Sequence, residues 1–253
     1  MNKIFIGIFL VAIVVSQAVV GYAMTDREKE AQRYFEMANS EYKESIHDTK
    51  RVIANYNRAI ELNPNLADAY IGLSVIYMGC AGGPRVDHDS AMLCCEYALK
   101  VDPNSARAYR WRAYLTNASD YFNIYKDRTI NQALADINRA IELDPNYLDA
   151  YEVRAEIYHK MGNYSRAIED YVYILKYPDL TNSSYMQYYD FDRVSDWQWF
   201  YKWDQRIANL LWHLSDSLYK NGNIDEAIEA CELALKLSPN NGWIKRSLNG
   251  YRN

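Results

Sequence analysis

The sequence predicts an all-α fold, a right-handed superhelical solenoid of about five helix hairpins. Three observations carry this. First, AIELNPN (59–65), ALKVDPN (98–104), AIELDPN (140–146) and ALKLSPN (234–240) are four near-copies of one helix ending. In each, a small residue admits a neighbouring helix, and the proline stands where the hydrogen-bond ladder stops. Second, in LDAYEVRAEIYHKMGNYSRAIEDYVYILKYP (148–178), Tyr151, Ala155 and Tyr158 recur at helical spacing. Gly162 then breaks the helix, and Ala167, Ile168 and Tyr171 open a second face before Pro178. Third, β-branched alternation, the strand signal, is nowhere sustained.

That stretch resembles one tetratricopeptide repeat, a helix–turn–helix unit of ~34 residues, with its aromatic, small, aromatic, Ala, aromatic and Pro slots in order. The resemblance extends over about 25–240 and divides the chain into units at about 26–65, 66–104, 105–146, 147–179 and 208–241. An insertion, 180–207, precedes the last unit, and a capping helix, 242–250, covers the end of the stack.

In chain order, the first helix carries Tyr34, Phe35, Ala38 and Tyr42, with Thr25 or Asp26 as cap; Ile53, Tyr56, Ala59 and Ile60 mark the second. Unit two holds Tyr70, Leu73 and Tyr77, then the insertion GCAGGPRVDHD (79–89), then Ala91, Cys95 and Ala98. Unit three holds Tyr109, Trp111 and Leu115, an insertion around 119–128, then Ala133, Ile137 and Ala140. Before unit five the chain departs from the pattern: Trp197, Trp199, Phe200, Tyr201 and Trp203 crowd together, with Ser195 or Asp196 as a helix cap. Leu211, Leu214, Leu218, Gly222, Ala227 and Ala234 then restore the slots, and Trp243, Ile244 and Leu248 form the cap.

Residues 1–23 read as a secretory signal: Lys3, an apolar run from Ile4 to Val15, and small residues at Gly21 and Ala23. Cleavage is expected near Ala23. Left uncleaved, the segment would serve as an anchor, the one expected contact with a membrane. The composition, rich in Asn, Lys, Ile and Tyr, and the short signal point to a bacterial protein of the periplasm or cell envelope.

The net charge of −5 disfavours a nucleic-acid surface. Cys80, Cys94, Cys95 and Cys231 are too few for a disulfide framework. Export would permit Cys80 to pair with Cys94 or Cys95, whereas Cys95 and Cys231 fall in the interior slot that Tyr171 fills. The histidines are scattered, and HExxH, CxxC and a phosphate-loop Lys-Ser/Thr are missing. Asp87-His88-Asp89 cannot turn all three side chains to one ion on a regular element. Triplets at Asn117, Asn163 and Asn182 match the glycosylation sequon at a frequency an Asn-rich chain produces by chance. The sequence thus offers no catalytic residue, metal or cofactor, and an enzyme is not expected.

Arg112 and Arg154 occupy equivalent first-helix slots where the family usually has Leu; Asp136 and Asp170 occupy equivalent second-helix slots. Units two and five carry Leu73 and Leu214 with Cys94 and Ala230 instead. Antiparallel helices bring these slots together, which predicts the structural ion pairs Arg112–Asp136 and Arg154–Asp170. By the resemblance, first helices line a concave groove presenting Asp68, Ile71, Val75 and Met78; Arg107, Arg110 and Tyr114; Asp149, Glu152, Glu156, His159 and Lys160; and Asn209, Trp212, Asp216 and Tyr219. The Lys/Asn clamp that grips acidic chaperone tails is absent: its Asn slots hold Gly72 or Trp111 and Val75 or Tyr114. The expected function is an exported scaffold binding an unidentified peptide or protein in the groove. The alternative is glycan or envelope-polymer binding through 197–203, with Trp199 and Trp203 on one helical face.

Overall fold

The computed structural model describes residues 24–44, 49–79, 87–122, 129–176 and 203–253, and every regular element among them is a helix. The helices are α1 (Asp26–Glu44), α2 (Thr49–Leu62), α3 (Ala67–Tyr77), α4 (His88–Val101), α5 (Ala106–Phe122), α6 (Ile130–Leu143), α7 (Leu148–Lys160), α8 (Tyr164–Lys176), α9 (Trp203–Lys220), α10 (Ile224–Leu237) and α11 (Gly242–Tyr251). Consecutive helices pair as five hairpins, α1–α2 to α9–α10, and α11 closes the stack against α10 and α9. First helices of neighbouring hairpins also meet, α3 with α5 and α5 with α7, and so form the inner side of the solenoid. The signal segment, Cys80 and most of 180–207 lie outside the described residues.

Local chemistry explains each boundary. Thr25 and Glu28 exchange hydrogen bonds: the Thr25 N–H donates to Glu28 Oε2 at 2.7 Å and the Glu28 N–H donates to Thr25 Oγ1 at 3.2 Å. This reciprocal box makes Thr25, not Asp26, the cap of α1. Thr129 and Gln132 repeat the device on α6, and Asp87 caps α4. In the turns of units four and five, Gly162 and Gly222 take φ of 75° and 88°. There the Asn163 and Asn223 N–H groups reach back to the Tyr158 and Leu218 carbonyls at 2.8 and 2.9 Å, closing helix ends that only a left-handed residue lets close.

The Asn/Asp-Pro-Asn ending also has a mechanism. The carboxamide or carboxylate of Asn63, Asp102 and Asp144 accepts from the N–H of Asn65, Asn104 and Asn146, at 3.0 Å each. These turns redirect the chain into the next hairpin. The first aromatic of that hairpin ties back to the turn: the Tyr70 hydroxyl donates to the Pro64 carbonyl at 3.2 Å, and Tyr151 to Pro145 at 3.1 Å. The insertion expected around 119–128 begins as helix: α5 runs on to Phe122, because NASDYF contains neither Gly nor Pro to stop it.

The core runs along the stack. Ala59, Ala98, Ala140 and Ala234, the small residues of the repeated ending, are all fully buried. Trp111 and Tyr56, with 1 % and 2 % exposure, are its largest side chains in the first three units. Gly72 makes room for Tyr56: a Cβ there would lie 2.4 Å from the ring's Cζ. The Tyr56 hydroxyl is itself held by Asn39 Oδ1 at 2.6 Å, so the ring cannot swing away freely. Gly72→Ala is expected to destabilise the protein by ~1–3 kcal/mol through overpacking, read as a lower urea midpoint.

Candidate functional site: the inner face and its locks

Two kinds of lock hold the hairpins. In unit three, Arg112 Nε and Nη2 donate to Asp136 Oδ2 and Oδ1 at 2.8 and 2.6 Å. In unit four, Arg154 Nε and Nη2 donate to Asp170 Oδ2 and Oδ1 at 2.8 and 2.7 Å. Both are parallel two-bond forks, the strongest geometry available to a guanidinium and a carboxylate. Burial opposes the charge on both arginines. The bonds to the aspartates outweigh it and hold both guanidinium pKa values above the ordinary arginine value.

Units two and five use a different lock that the sequence reading missed. Ser74 and Cys95 lie 3.1 Å apart, and Ser215 and Cys231 lie 3.2 Å apart, all four buried. The serines sit one position after Leu73 and Leu214, the residues that replace the arginines. The signal was present in the sequence: Ser stands where units three and four have Ala113 and Ala155, in the same two units that place Cys in the interior slot.

Cys95 and Cys231 are both fully buried, and burial raises the Cys231 thiol. Cys94 is a free, buried thiol, and burial pushes its pKa up to about 12, so it stays protonated at neutral pH. Cys80, expected to pair with Cys94 or Cys95, lies outside the described residues.

On the inner face, the residues assigned to partner contact separate into two groups. Ile71, Val75 and Arg110 are buried to 1 % exposure or less, and Ile71 and Val75 belong to the same apolar cluster as Trp111. The Arg110 guanidinium lies 4.4 Å from the Trp111 ring centre and 5.6 Å from that of Tyr114. Glu152 is buried as well. Met78, Arg107, Tyr114, Glu156, His159, Trp212 and Asp216 keep part of their surface open to solvent. Trp199 falls outside the described residues; Trp203 opens α9.

Most charged groups of this face bridge one unit to the next. Arg107 Nη1 donates to Asp68 Oδ1 at 2.7 Å, joining units two and three. Lys160 Nζ donates to the Asn117 carbonyl at 2.7 Å, joining units three and four. Arg206 Nη2 donates to both Asp149 Oδ1 and Glu152 Oε2 at 2.8 Å, joining units four and five at one end. At the other end, His159 Nε2 lies 3.1 Å from Asp216 Oδ2, and His159 Nδ1 lies 2.9 Å from Ser217 Oγ. The acid-rich surface expected on unit four is thus partly neutralised from within by Arg206. Among the described residues no cluster of three or more His, Cys, Asp or Glu is placed to hold a metal, and no helix is long and apolar enough to cross a membrane.

Comparison with known proteins agrees with this architecture. Tetratricopeptide repeat models match residues 137–169 and 208–241. No curated protein matches the sequence at a significant level. Among solved structures, the chain is similar to pilF of Pseudomonas aeruginosa, with 14% identity, 90% of each chain covered and a TM-score of 0.62. It is also similar to a thermophilic tetratricopeptide protein of Thermus thermophilus, with 15% identity, 87% of this chain and 98% of that one covered, and a TM-score of 0.57. A third is YrrB, described as a tetratricopeptide protein with an unusual peptide-binding site, with 16% identity, 88% and 93% covered, and a TM-score of 0.55. At these identities the likeness establishes the fold. The chain therefore carries tetratricopeptide repeats, built into an all-helical solenoid of the tetratricopeptide type.

Proposed function

We propose that the protein is an exported interaction scaffold that takes a peptide or protein partner on its inner face. A tetratricopeptide array is by architecture a protein-binding scaffold, and the exported setting rests on the pattern of residues 1–23. The observation that carries the reading is the part-open series of Met78, at the C-terminal end of α3, with Tyr114, Glu156 and Trp212 on α5, α7 and α9. Tyr114 and Trp212 present large amphipathic rings, the side chains that dominate peptide-binding surfaces. Ion pairs on either side hold these helices in register, so the surface is preformed and little ordering is lost on binding.

The partner is expected to cross an apolar and aromatic stretch and to meet Glu156 and Lys160 beyond it. A photo-reactive amino acid at position 114 or 156 should capture a partner in the cell, whereas one at the outer, exposed Leu93 should not. Equal capture from both faces, or none from the inner one, would overturn the reading. Arg110 and Glu152 are unsuitable for this test because both are buried, and replacing them would perturb the fold itself.

A further inference from the structure

We propose that His159, Asp216 and Ser217 form a proton-sensitive latch across the junction of units four and five. The two residues on α9 are adjacent in sequence, and both reach one imidazole on α7: Asp216 meets Nε2 at 3.1 Å and Ser217 meets Nδ1 at 2.9 Å. With both ring nitrogens engaged, each protonation state has a complete set of bonds.

In the neutral ring, Nε2–H donates to the carboxylate, and the Ser217 hydroxyl donates to Nδ1. In the imidazolium, Nδ1–H donates to Ser217 Oγ, and the hydroxyl hydrogen turns to the His213 carbonyl, which lies 3.1 Å away. The proton comes from solvent, because the His159 and Asp216 side chains are 30% and 39% exposed. Ser217 is fully buried, so its hydroxyl serves this exchange rather than attack on a substrate.

Other groups face the pair from α8, α10 and α11 as well as from α7 and α9. From α8, the Tyr164 ring stands edge-on at 5.2 Å. From α11, the Tyr251 hydroxyl donates to Asp216 Oδ1 at 3.4 Å, and burial pushes that phenol up to about 12, so it stays neutral. From α10, burial raises the Cys231 thiol. On α9, Lys220 lies in the field of Asp216, and His213 sits one turn before Ser217, stacked on Tyr171 of α8. On α7 itself, Lys160 is committed to the Asn117 carbonyl, and Glu156 lies one turn back. The His159 bond holds the Asp216 carboxyl below its ordinary value against the opposing effect of burial.

The sign follows. The depressed carboxyl contributes stability above its unfolded value and loses it as pH falls through the folded one. The ring brings a positive charge to this carboxylate only while both of its nitrogens carry protons, so the bond weakens when one leaves. The junction is therefore tighter with the ring protonated and looser with it neutral. Because Tyr251 shares Asp216, the change reaches the capping helix. The latch is a property of the chain alone and holds whether or not the inner face takes a peptide.

Amide hydrogen exchange of α9 in the full chain tests it. Between about pH 5.5 and 8, corrected for intrinsic rates, the opening equilibrium of α9 should rise about two- to fivefold, the worth of a part-exposed ion pair. Asp216→Asn still accepts from Nε2–H and from Tyr251, so it should keep the fold and flatten the dependence; His159→Gln should flatten it too. The imidazole ¹⁵N shifts of His159 at about pH 8 should report an Nε2–H tautomer. A wild-type profile without a rise, the same rise in Asp216→Asn, or an Nδ1–H tautomer at high pH would each overturn the latch. Failure of the partner-binding reading would instead appear only in capture experiments.

Discussion

Asp170→Ala is expected to cost about 3 kcal/mol or more of folding free energy, because it leaves Arg154, whose side chain is 20% exposed, without the carboxylate that forks across its guanidinium. Asn138 Oδ1, 3.2 Å from Arg154 Nη1, offers one neutral bond in place of two charged ones. The control is built into the molecule. Unit five carries Leu214 and Ala230 in the same two slots and packs normally, with Leu214 7 % and Ala230 6 % exposed. Arg154→Leu combined with Asp170→Ala imports that solution. The double variant should recover most of the loss, since replacing a buried pair by apolar packing is often neutral or stabilising. Urea unfolding of the three variants gives the coupling directly. A double variant as unstable as the sum of the singles would mean no coupling between the two side chains and would overturn the fork as an energetic unit.

Arg206→Ala should have a comparable effect at the junction of units four and five. Its side chain, 14% exposed, bridges Asp149 and Glu152, whose side chains are 2% and 11% exposed. Removing the bridging cation strands two acids close together in a poorly hydrated site, at a cost of about 3–5 kcal/mol by comparison with other buried pairs. Asp149 and Glu152 lie 57 and 54 positions away in the chain, so the loss should appear as uncoupling of α9 from α7. A second, earlier transition for the last unit is the expected signature, with the first three units unfolding as before. Lowering the pH enough to protonate the acids should rescue the variant relative to wild type.

The fold could be read from the sequence because its determinants are local and repeated. The Asn/Asp-Pro-Asn endings close Asx turns, the alanines of AIEL and ALKL sit between helices, and Gly162 terminates a helix through its own φ. None needs knowledge of another unit. The Arg and Asp slots share this property, since two antiparallel helices of one hairpin fix their separation. The inner face is different. An apolar residue in a groove slot serves equally as contact or as core, and Ile71 and Val75 are core. Arg206 lies in the segment read as an insertion, outside the repeat frame, and its partners are acids that the repeat reading turned toward a ligand. Likewise, His159, Asp216 and Ser217 meet only because α7 and α9 pack at one particular separation, which repeat counting does not specify.

The placing of the two lock types has a consequence for where along the molecule a fault is felt. Charged forks close the third and fourth hairpins from inside, while the second and fifth rely on a serine resting against a thiol. In a quasi-one-dimensional array each hairpin contributes its own term, and each junction a coupling to its neighbours. An opening that separates a fork strands a poorly hydrated charge, whereas opening the second or fifth hairpin strands none. A single-residue fault is therefore felt most in the third and fourth hairpins, where each half of the lock depends on the other half being present.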